Sequence, residues 1–469
     1  MTLTLTGVLV LVVSIILFFR SSFTLLLFVL VSVPFSATAV FNLDNGDGSS
    51  VSATLVLAIL YVLRRALAVL LAGRIRLVGR MPLAYLATFI GALGLSLITP
   101  FLNPGVPFEA VDPKGALEAS FVLHLSAEHI KQLAYFLVWG LFLLFAASDL
   151  TTLRRLKVAL RVLLYTGVFV SIWGWMQVVL SVLGVPYPFY IFNNSAIGFL
   201  QGYKQVIENL NISRMSSVSA EPSVFATYIL VLLSLLLGFL LIGVPVLGIR
   251  RDRWLALFFV LTAMVSTAAT AYTGLLFLTL LTLVVLPRVR ARPLAPLVLM
   301  VAALLLFLLT LPVLYWSIPL VQQIVDGVIF GRGDSFSFSQ RFLSIVYALR
   351  SFSDSPVFGL GINSMTVYSL PFWLLANTGI FGFVTFYVFY ASLFRAPLAL
   401  LRNLGMPNWL RGLALGSLFA LLLLLLITAL TGFPYVFGYF WLPVLLVMSQ
   451  GSFLTKSNEA RDQVPVGQV

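Results

Sequence analysis

The run LFALLLLLLITAL at residues 418–430 holds a single hydroxyl and no charge, and about a dozen other stretches of the chain read the same way. A backbone that crosses hydrocarbon must satisfy its own N–H and C=O groups, which leaves helices or closed barrels. Barrel strands alternate lipid-facing and lumen-facing residues, and LTLTGVLVLVVSIILFF (3–19) does not keep that alternation. The composition agrees: 61% of the residues are hydrophobic, 9% are charged and the mean hydropathy is +1.09. Too few charges remain to cover a water-soluble globule, and the apolar content excludes disorder. The predicted fold class is all-α, a polytopic membrane helical bundle of about 12–14 spans.

At 1.5 Å per residue, apolar segments of spanning length lie near 3–19, 23–41, 51–63, 82–102, 130–147, 161–184, 222–243, 254–270, 273–287, 294–316, 371–392, 411–430 and 436–454. The third is short and is expected to run past Arg64 and Arg65. The first lacks a basic start and leads straight into another span, so it reads as a span and not as a signal peptide. Residues 1–455 form one predicted membrane domain and 456–469 a disordered cytoplasmic tail. The chain has no cysteine and two histidines, His124 and His129. Disulfides, thiolate metal sites, a cysteine nucleophile and a histidine-rich metal centre are excluded.

Charge divides sharply between alternate loops. One set carries 21 of the 28 basic residues and four acids (Asp149, Asp252, Glu459, Asp462); the other carries seven cations and 11 acids. The positive-inside rule puts the first set in the cytoplasm, with the N-terminus out and the C-terminus in. The net charge of +13 is thus topology and lipid headgroups, not nucleic acid. The spans are nearly free of ionisable residues, which disfavours a proton-coupled transporter. Chemistry is expected in three long outward loops, 103–129, 185–221 and 317–370.

The second loop ends in RMSSVSAEPSVFA (214–226), where Arg214 and Glu221 flank a small polar run and Pro222 opens a helix. Glu221 reads as a helix cap at the positive end of a dipole, or as a carboxylate presented at the membrane face. Lys204 is a further cation of this loop. In the third loop Phe338, Phe342, Ile345, Leu349 and Phe352 follow helical spacing and predict an amphipathic helix on the membrane surface. Arg341 and Arg350 lie on it and Arg332 precedes it. Snorkelling to lipid phosphate explains one arginine there better than three, and arginine forks suit pyrophosphate. The turn PVFGLGIN (356–363) carries Gly359 and Gly361, which permit close backbone approach or positive φ. AYTGLL (271–276) reads as a small-residue break forming an outward hairpin. His124 and His129, with Glu128, precede the fifth span and offer a secondary base or simple interfacial packing. DNGDG (44–48) has turn chemistry and too few hard ligands for a metal site. The sequons at Asn193 and Asn211 are of the kind that arise by chance.

Together, RMSSVSAEPSVFA, AYTGLL, and RFLSIVYALRSFSDSPVFGLGINSM followed by LLANTGIFGF (341–383) resemble, in order and on the outward side, the bacterial O-antigen polymerase and O-antigen ligase superfamily. The blocks cover under a fifth of the chain. The resemblance implies a C-type glycosyltransferase fold and a metal-independent, cofactor-free inverting transferase in the bacterial inner membrane. Such an enzyme joins glycans carried on undecaprenyl pyrophosphate at the periplasmic face, among membrane lipids, beside a flippase and a chain-length regulator. It maps Arg214, Glu221 and Arg341 onto catalytic positions, with Arg214, Arg341, Arg332, Arg350 and Tyr272 toward pyrophosphate. Tyr272 stands where the family's hairpin has arginine. NSMTVYSLPFW, with Tyr368 and Ser369, lacks the histidine that the ligases carry after the Gly-x-Gly turn. Polymerase is therefore the first reading and ligase to lipid A-core the second. A lipid-linked glycan flippase, from another class, predicts charged or broken helices at the bilayer midplane instead.

The absence of native cysteine makes single-cysteine labelling a direct test of orientation. Cysteines in 185–221 or 317–370 are expected to react with a membrane-impermeant maleimide added outside, and those in 64–80 or 395–411 are not. External labelling of Arg402→Cys would overturn the assignment.

Overall fold

The computed structural model describes residues 2–43, 50–73, 78–112, 118–195, 206–207, 212–288, 317 and 336–462. Its elements in order are β1 (Thr2–Leu3), α1 (Leu5–Arg20), α2 (Ser22–Ser32), β2 (Ala39–Asn42), β3 (Ser50–Ser52), α3 (Ala53–Ala72), α4 (Arg80–Ser96), α5 (Ile98–Leu102), β4 (Pro107–Ala110), β5 (Ala119–Val122), α6 (Ala127–Asp149) and α7 (Leu153–Val182). There follow β6 (Val206–Ile207), β7 (Ile212–Ser213), α8 (Pro222–Ile242), α9 (Ile249–Val265), α10 (Ala269–Val285), α11 (Phe336–Asp354), α12 (Leu370–Ser392), α13 (Arg395–Arg402), α14 (Asn408–Thr431) and α15 (Gly438–Asp462). Among the described residues, seven helical segments are long and apolar enough to cross a membrane, beginning at Ala53, Arg80, Ala127, Leu153, Pro222, Leu370 and Asn408. Leu5–Arg20, Ser22–Ser32 and Ala269–Val285 are shorter apolar helices. The molecule is thus a mostly helical bundle of membrane character. The predicted segment 294–316 lies outside the described residues.

Helix α8 is the axis. It is apolar all round, a pattern that only a helix surrounded on every side or by lipid can keep, and 19 of its 21 residues are buried. Its heaviest packing is against α14, with α9 and α10 alongside. Gly412 and Gly416 of α14 repeat at the four-residue spacing that lets helix backbones touch. A Cβ on Gly416 would meet the Leu235 carbonyl oxygen at 2.5 Å, and one on Gly238 would meet the Gly416 nitrogen at 2.1 Å. Elsewhere α12 packs on α4, α2 on α3, and α15 on α6.

Several boundaries differ from the sequence reading. The segment 23–41 is not one span. Pro34 brings no N–H to continue α2, and the chain turns into β2, which pairs with β1 and β3. The break between α9 and α10 falls at 266–268, so AYTGLL lies within α10, where Gly274 admits Leu230. Helix α7 starts eight residues early, at Leu153, because Thr152 caps it by accepting from Arg155 N. Helix α15 continues to Asp462, through residues expected to be a disordered tail; no Pro or Gly interrupts 452–462. Helix α3 does run past Arg64 and Arg65 to Ala72. Arg65 is accommodated by the buried Asp149 carboxylate at 3.5 Å, which also accepts from Tyr61 Oη at 2.8 Å and ties α3 to α6.

Helix α11 is amphipathic as expected. Phe338, Phe342 and Leu349 are exposed while Ser344, Tyr347, Ala348 and Ser351 are buried. Of the apolar stripe, Phe342 and Leu349 stand out from the described core, and Ile345 and Phe352 are half-buried.

Adding a side chain at the α8–α14 crossing is expected to separate the two helices. Gly416→Val should cost about 1–3 kcal/mol or more by overpacking and lower the melting midpoint followed by tryptophan fluorescence in detergent. Gly94→Ala, where a Cβ meets nothing within 4 Å, should leave the midpoint unchanged or raise it.

Candidate functional site

The SSVSA run is buried, and each small polar residue meets a partner. Gln177 on α7 anchors it: its Oε1 accepts from Ser216 N at 3.0 Å and Ser217 N at 2.9 Å, and its Nε2 donates to Arg214 O at 3.1 Å. Ser217 takes φ +55°, and its Oγ donates to Val170 O at 2.6 Å. Asn193 Nδ2 donates to Ser217 O at 3.1 Å, so this sequon asparagine is a buried strut and not a glycan acceptor. Ser219 Oγ donates to Pro34 O at 3.0 Å and Ala220 N to Ser36 Oγ at 3.1 Å. These bonds deliver Glu221 to the head of α8.

Glu221 occupies the N-cap position with extended backbone, yet its side chain makes no capping bond. Its carboxylate accepts from Ser223 Oγ at 3.0 Å and lines a cavity of about 500 Å³. The same cavity is lined by Arg341 from α11, by Tyr368, by Glu128, Lys131, Gln132 and Tyr135 from α6, and by Tyr439. It sits where α3, α6, α8, α10 and α15 begin and α14 ends. Arg341 Nη1 donates to Leu430 O at 3.3 Å, in the last turn of α14. That carbonyl has no helical donor, because Pro434 lacks an N–H. Burial chiefly, and then the Glu221 carboxylate, raise the Tyr368 phenol above its ordinary pKa, with Arg341 opposing. Tyr368 therefore stays protonated at neutral pH, within electrostatic reach of both groups. On α6, Glu128 pairs with Lys131 and accepts from Gln132, and Tyr435 Oη donates to Gln132 Oε1 at 2.7 Å.

The other sequence candidates lie elsewhere. Arg214 does not line the cavity. Its Nη2 donates to Thr267 O at 2.9 Å and its Nε to Thr267 Oγ1 at 3.3 Å, on the α9–α10 turn. Tyr272 Oη donates to Met264 O at 3.1 Å across that turn. Arg350 pairs with Glu109 at 2.8 Å, joining α11 to β4 on the exposed surface. His129 Nδ1 accepts from Ser126 N at 3.1 Å, which leaves the proton on Nε2, 2.9 Å from Ser364 Oγ. The ring ties α6 to the glycine turn. His124 is exposed, with Nδ1 3.0 Å from Val122 O. Lys204, Arg332, Asp44 and Asp47 lie outside the described residues.

The PVFGLGIN turn is a packing device. Gly379 (φ +63°) breaks α12, and the freed Ala376 and Asn377 carbonyls accept from Leu360 N at 2.8 Å and Gly361 N at 3.0 Å. A Cβ on Gly359 would meet the Asn377 carbonyl carbon at 2.5 Å. This clamp fixes the approach to Tyr368.

Sequence reasoning missed Lys131, Gln132 and Tyr135. With Glu128 they occupy positions i, i+3, i+4 and i+7 of α6, a polar stripe at the head of an otherwise apolar span. That periodicity was a readable signal. The hydroxyls of Ser36, Ser50, Ser52 and Thr54 also line the cavity, and nothing local marked them. No family model matches this chain, and no curated protein matches it.

Replacing Gln177 with leucine would leave two buried N–H groups unpaired at about 1–3 kcal/mol each. Gln177→Leu is expected to lower the melting midpoint strongly, whereas Gln177→Glu, which keeps the acceptor, should lose less.

Proposed function

We propose that the protein is an inverting glycosyltransferase that polymerises glycans carried on undecaprenyl pyrophosphate, acting at the periplasmic face of a bacterial inner membrane. The supporting observation is the meeting of Glu221, Tyr368 and Arg341 on one cavity, with the Glu221 carboxylate free of the helix cap it was placed to make. The cations gathered at the opposite ends of the helices favour the orientation with this cavity outward. Nearby, α11 exposes Phe342 and Leu349, a fit for lipid.

The reaction asks for two things. The bond between the anomeric carbon and the pyrophosphate oxygen breaks as an acceptor hydroxyl oxygen attacks from the opposite face. The electron pair leaves with the lipid pyrophosphate, and the hydroxyl proton goes to a base. Arg341 presents a fixed fork for the departing charge, and Lys131 adds a second cation on the same cavity. Glu221 takes the proton. Tyr368, a neutral phenol on the same cavity, donates a hydrogen bond to either the pyrophosphate or the carboxylate without adding charge. Glu128 pairs with Lys131 on α6.

Purified protein incubated with lipid-linked repeat units is expected to yield a ladder of longer glycans on a gel. Glu221→Gln should slow it by about 10²–10⁴-fold, the usual general-base contribution, with lipid binding retained. Arg341→Ala should abolish it, and Arg341→Lys should rescue poorly, because a point charge cannot replace the fork. A wild-type protein that makes no longer product would overturn the reading. A well-folded Glu221→Gln protein with near-normal rates would remove the base assignment.

A further inference from the structure

Tyr439, in the first turn of α15, has no part in the chemistry above. It is 4% exposed and lines the cavity. A buried phenol ordinarily finds a partner for its hydroxyl. Tyr61 donates to Asp149 Oδ2, Tyr390 to Leu421 O and Tyr435 to Gln132 Oε1. The hydroxyls of Tyr187 and Tyr228 have no partner and are fully enclosed. The Tyr439 hydroxyl belongs to neither group. It has no hydrogen-bond partner among the described residues, yet it is not enclosed. The space it opens on is the cavity.

The ring is held in place by the chain around it. Helical side chains lean toward the N-terminus, so a residue of the first turn projects past the helix start. Helix α15 opens at Gly438, where a Cβ would meet Val33 Cγ2 at 3.1 Å, Thr54 Cγ2 at 3.2 Å and Trp139 Cη2 at 3.3 Å. The backbone there is packed against α3 and α6. Phe437 N donates to Pro434 O at 3.0 Å and Trp441 Nε1 to Tyr435 O at 2.7 Å, which fixes the turn before the helix. Phe437 also stacks on the Tyr439 ring, with centroids 5.7 Å apart and planes at 15°.

The neighbour that gives the hydroxyl a role is Glu221. Helices α8 and α15 touch, and the Glu221 carboxylate lies within electrostatic reach of the Tyr439 phenol. The two are not hydrogen-bonded to each other; the carboxylate accepts from Ser223 Oγ instead. A phenol and a carboxylate that line one cavity without touching are bridged by what occupies it. Beside a base, that occupant is the molecule whose hydroxyl loses its proton.

We propose that Tyr439 binds the acceptor sugar, its Oη donating to one oxygen of that sugar while Glu221 takes the proton of the attacking hydroxyl. The inference rests on the lipid-linked glycan reading, with Glu221 as its base.

The test separates the two substrates for the full chain in nanodiscs. The donor is an undecaprenyl-pyrophosphate-linked repeat unit capped at its non-reducing sugar, so that it cannot accept. The acceptor is the same repeat unit as an octyl glycoside, which has no pyrophosphate to lose. Tyr439→Phe keeps the ring and removes the hydroxyl. It is expected to raise KM for the acceptor roughly tenfold, the scale of one buried hydrogen bond, and to leave KM for the donor unchanged. Glu221→Gln should instead lower kcat and leave the acceptor KM alone. In a panel of monodeoxy acceptors, one should lose a similar factor against wild type and nothing further against Tyr439→Phe, since enzyme and sugar would then lack the two halves of one contact. A raised donor KM in place of a raised acceptor KM would put the phenol on the pyrophosphate and overturn the assignment. So would unchanged KM values for both substrates, a fall in kcat alone, or a panel in which every deoxy acceptor weakens both proteins equally. A wild type that joins no such pair would overturn the polymerase reading, and this assignment with it.

Discussion

A buried peptide group with no partner costs several kcal/mol where water cannot reach it, and the segment 214–220 runs through the apolar interior as irregular chain. Everything at the cavity depends on how that cost is met. Gln177 supplies one acceptor to two successive N–H groups and a donor to a third residue. Asn193 Nδ2 donates to Ser217 O, Ala37 N to Val218 O, Ser219 N to Ser216 O and Ala220 N to Ser36 Oγ. The small side chains of SSVSA permit the approach, and their hydroxyls repay part of the lost hydration. With the strap fixed, α8 starts at a defined height, and Glu221 stands at the cavity wall and not in solvent.

The charged groups show a second economy. A carboxylate at a helix N-terminus ordinarily satisfies the first-turn N–H groups. Pro222 removes one of those donors, and the Glu221 side chain turns to Ser223 Oγ and the cavity. Arg341 is steadied by a carbonyl that Pro434 leaves unclaimed. Both side chains are thus placed by backbone defects at helix ends. The arrangement leaves opposite charges on one cavity with a neutral phenol near both. On the proposed reading, such a site would stabilise a leaving anion and accept a proton in one step.

The helical class and most of the spans among the described residues were legible, because the length of an apolar run is a local property of a chain. Glu221 and Arg341, which the sequence marked through their motifs, both line the cavity. Arg214 and Arg350 carried the same signals and went elsewhere, one to Thr267 and the other to Glu109. An arginine in a loop declares its charge and not its partner. The glycines of PVFGLGIN were readable as close-approach residues, but their counterpart, the broken turn of α12 at Gly379, begins some twenty residues later.

The sequence by itself determined that this chain is a helical bundle of membrane character, since hydrophobic period and run length need no knowledge of neighbours. It also marked one set of loops as strongly basic. Only the tertiary structure decided which polar groups share a cavity. Lys131, Tyr368, Thr270 and Glu221 come from four places in the chain, and their meeting depends on helix packing distances set at contacts such as Gly238 against Gly416. Packing of that kind is a property of pairs of surfaces, and no single stretch of sequence contains it.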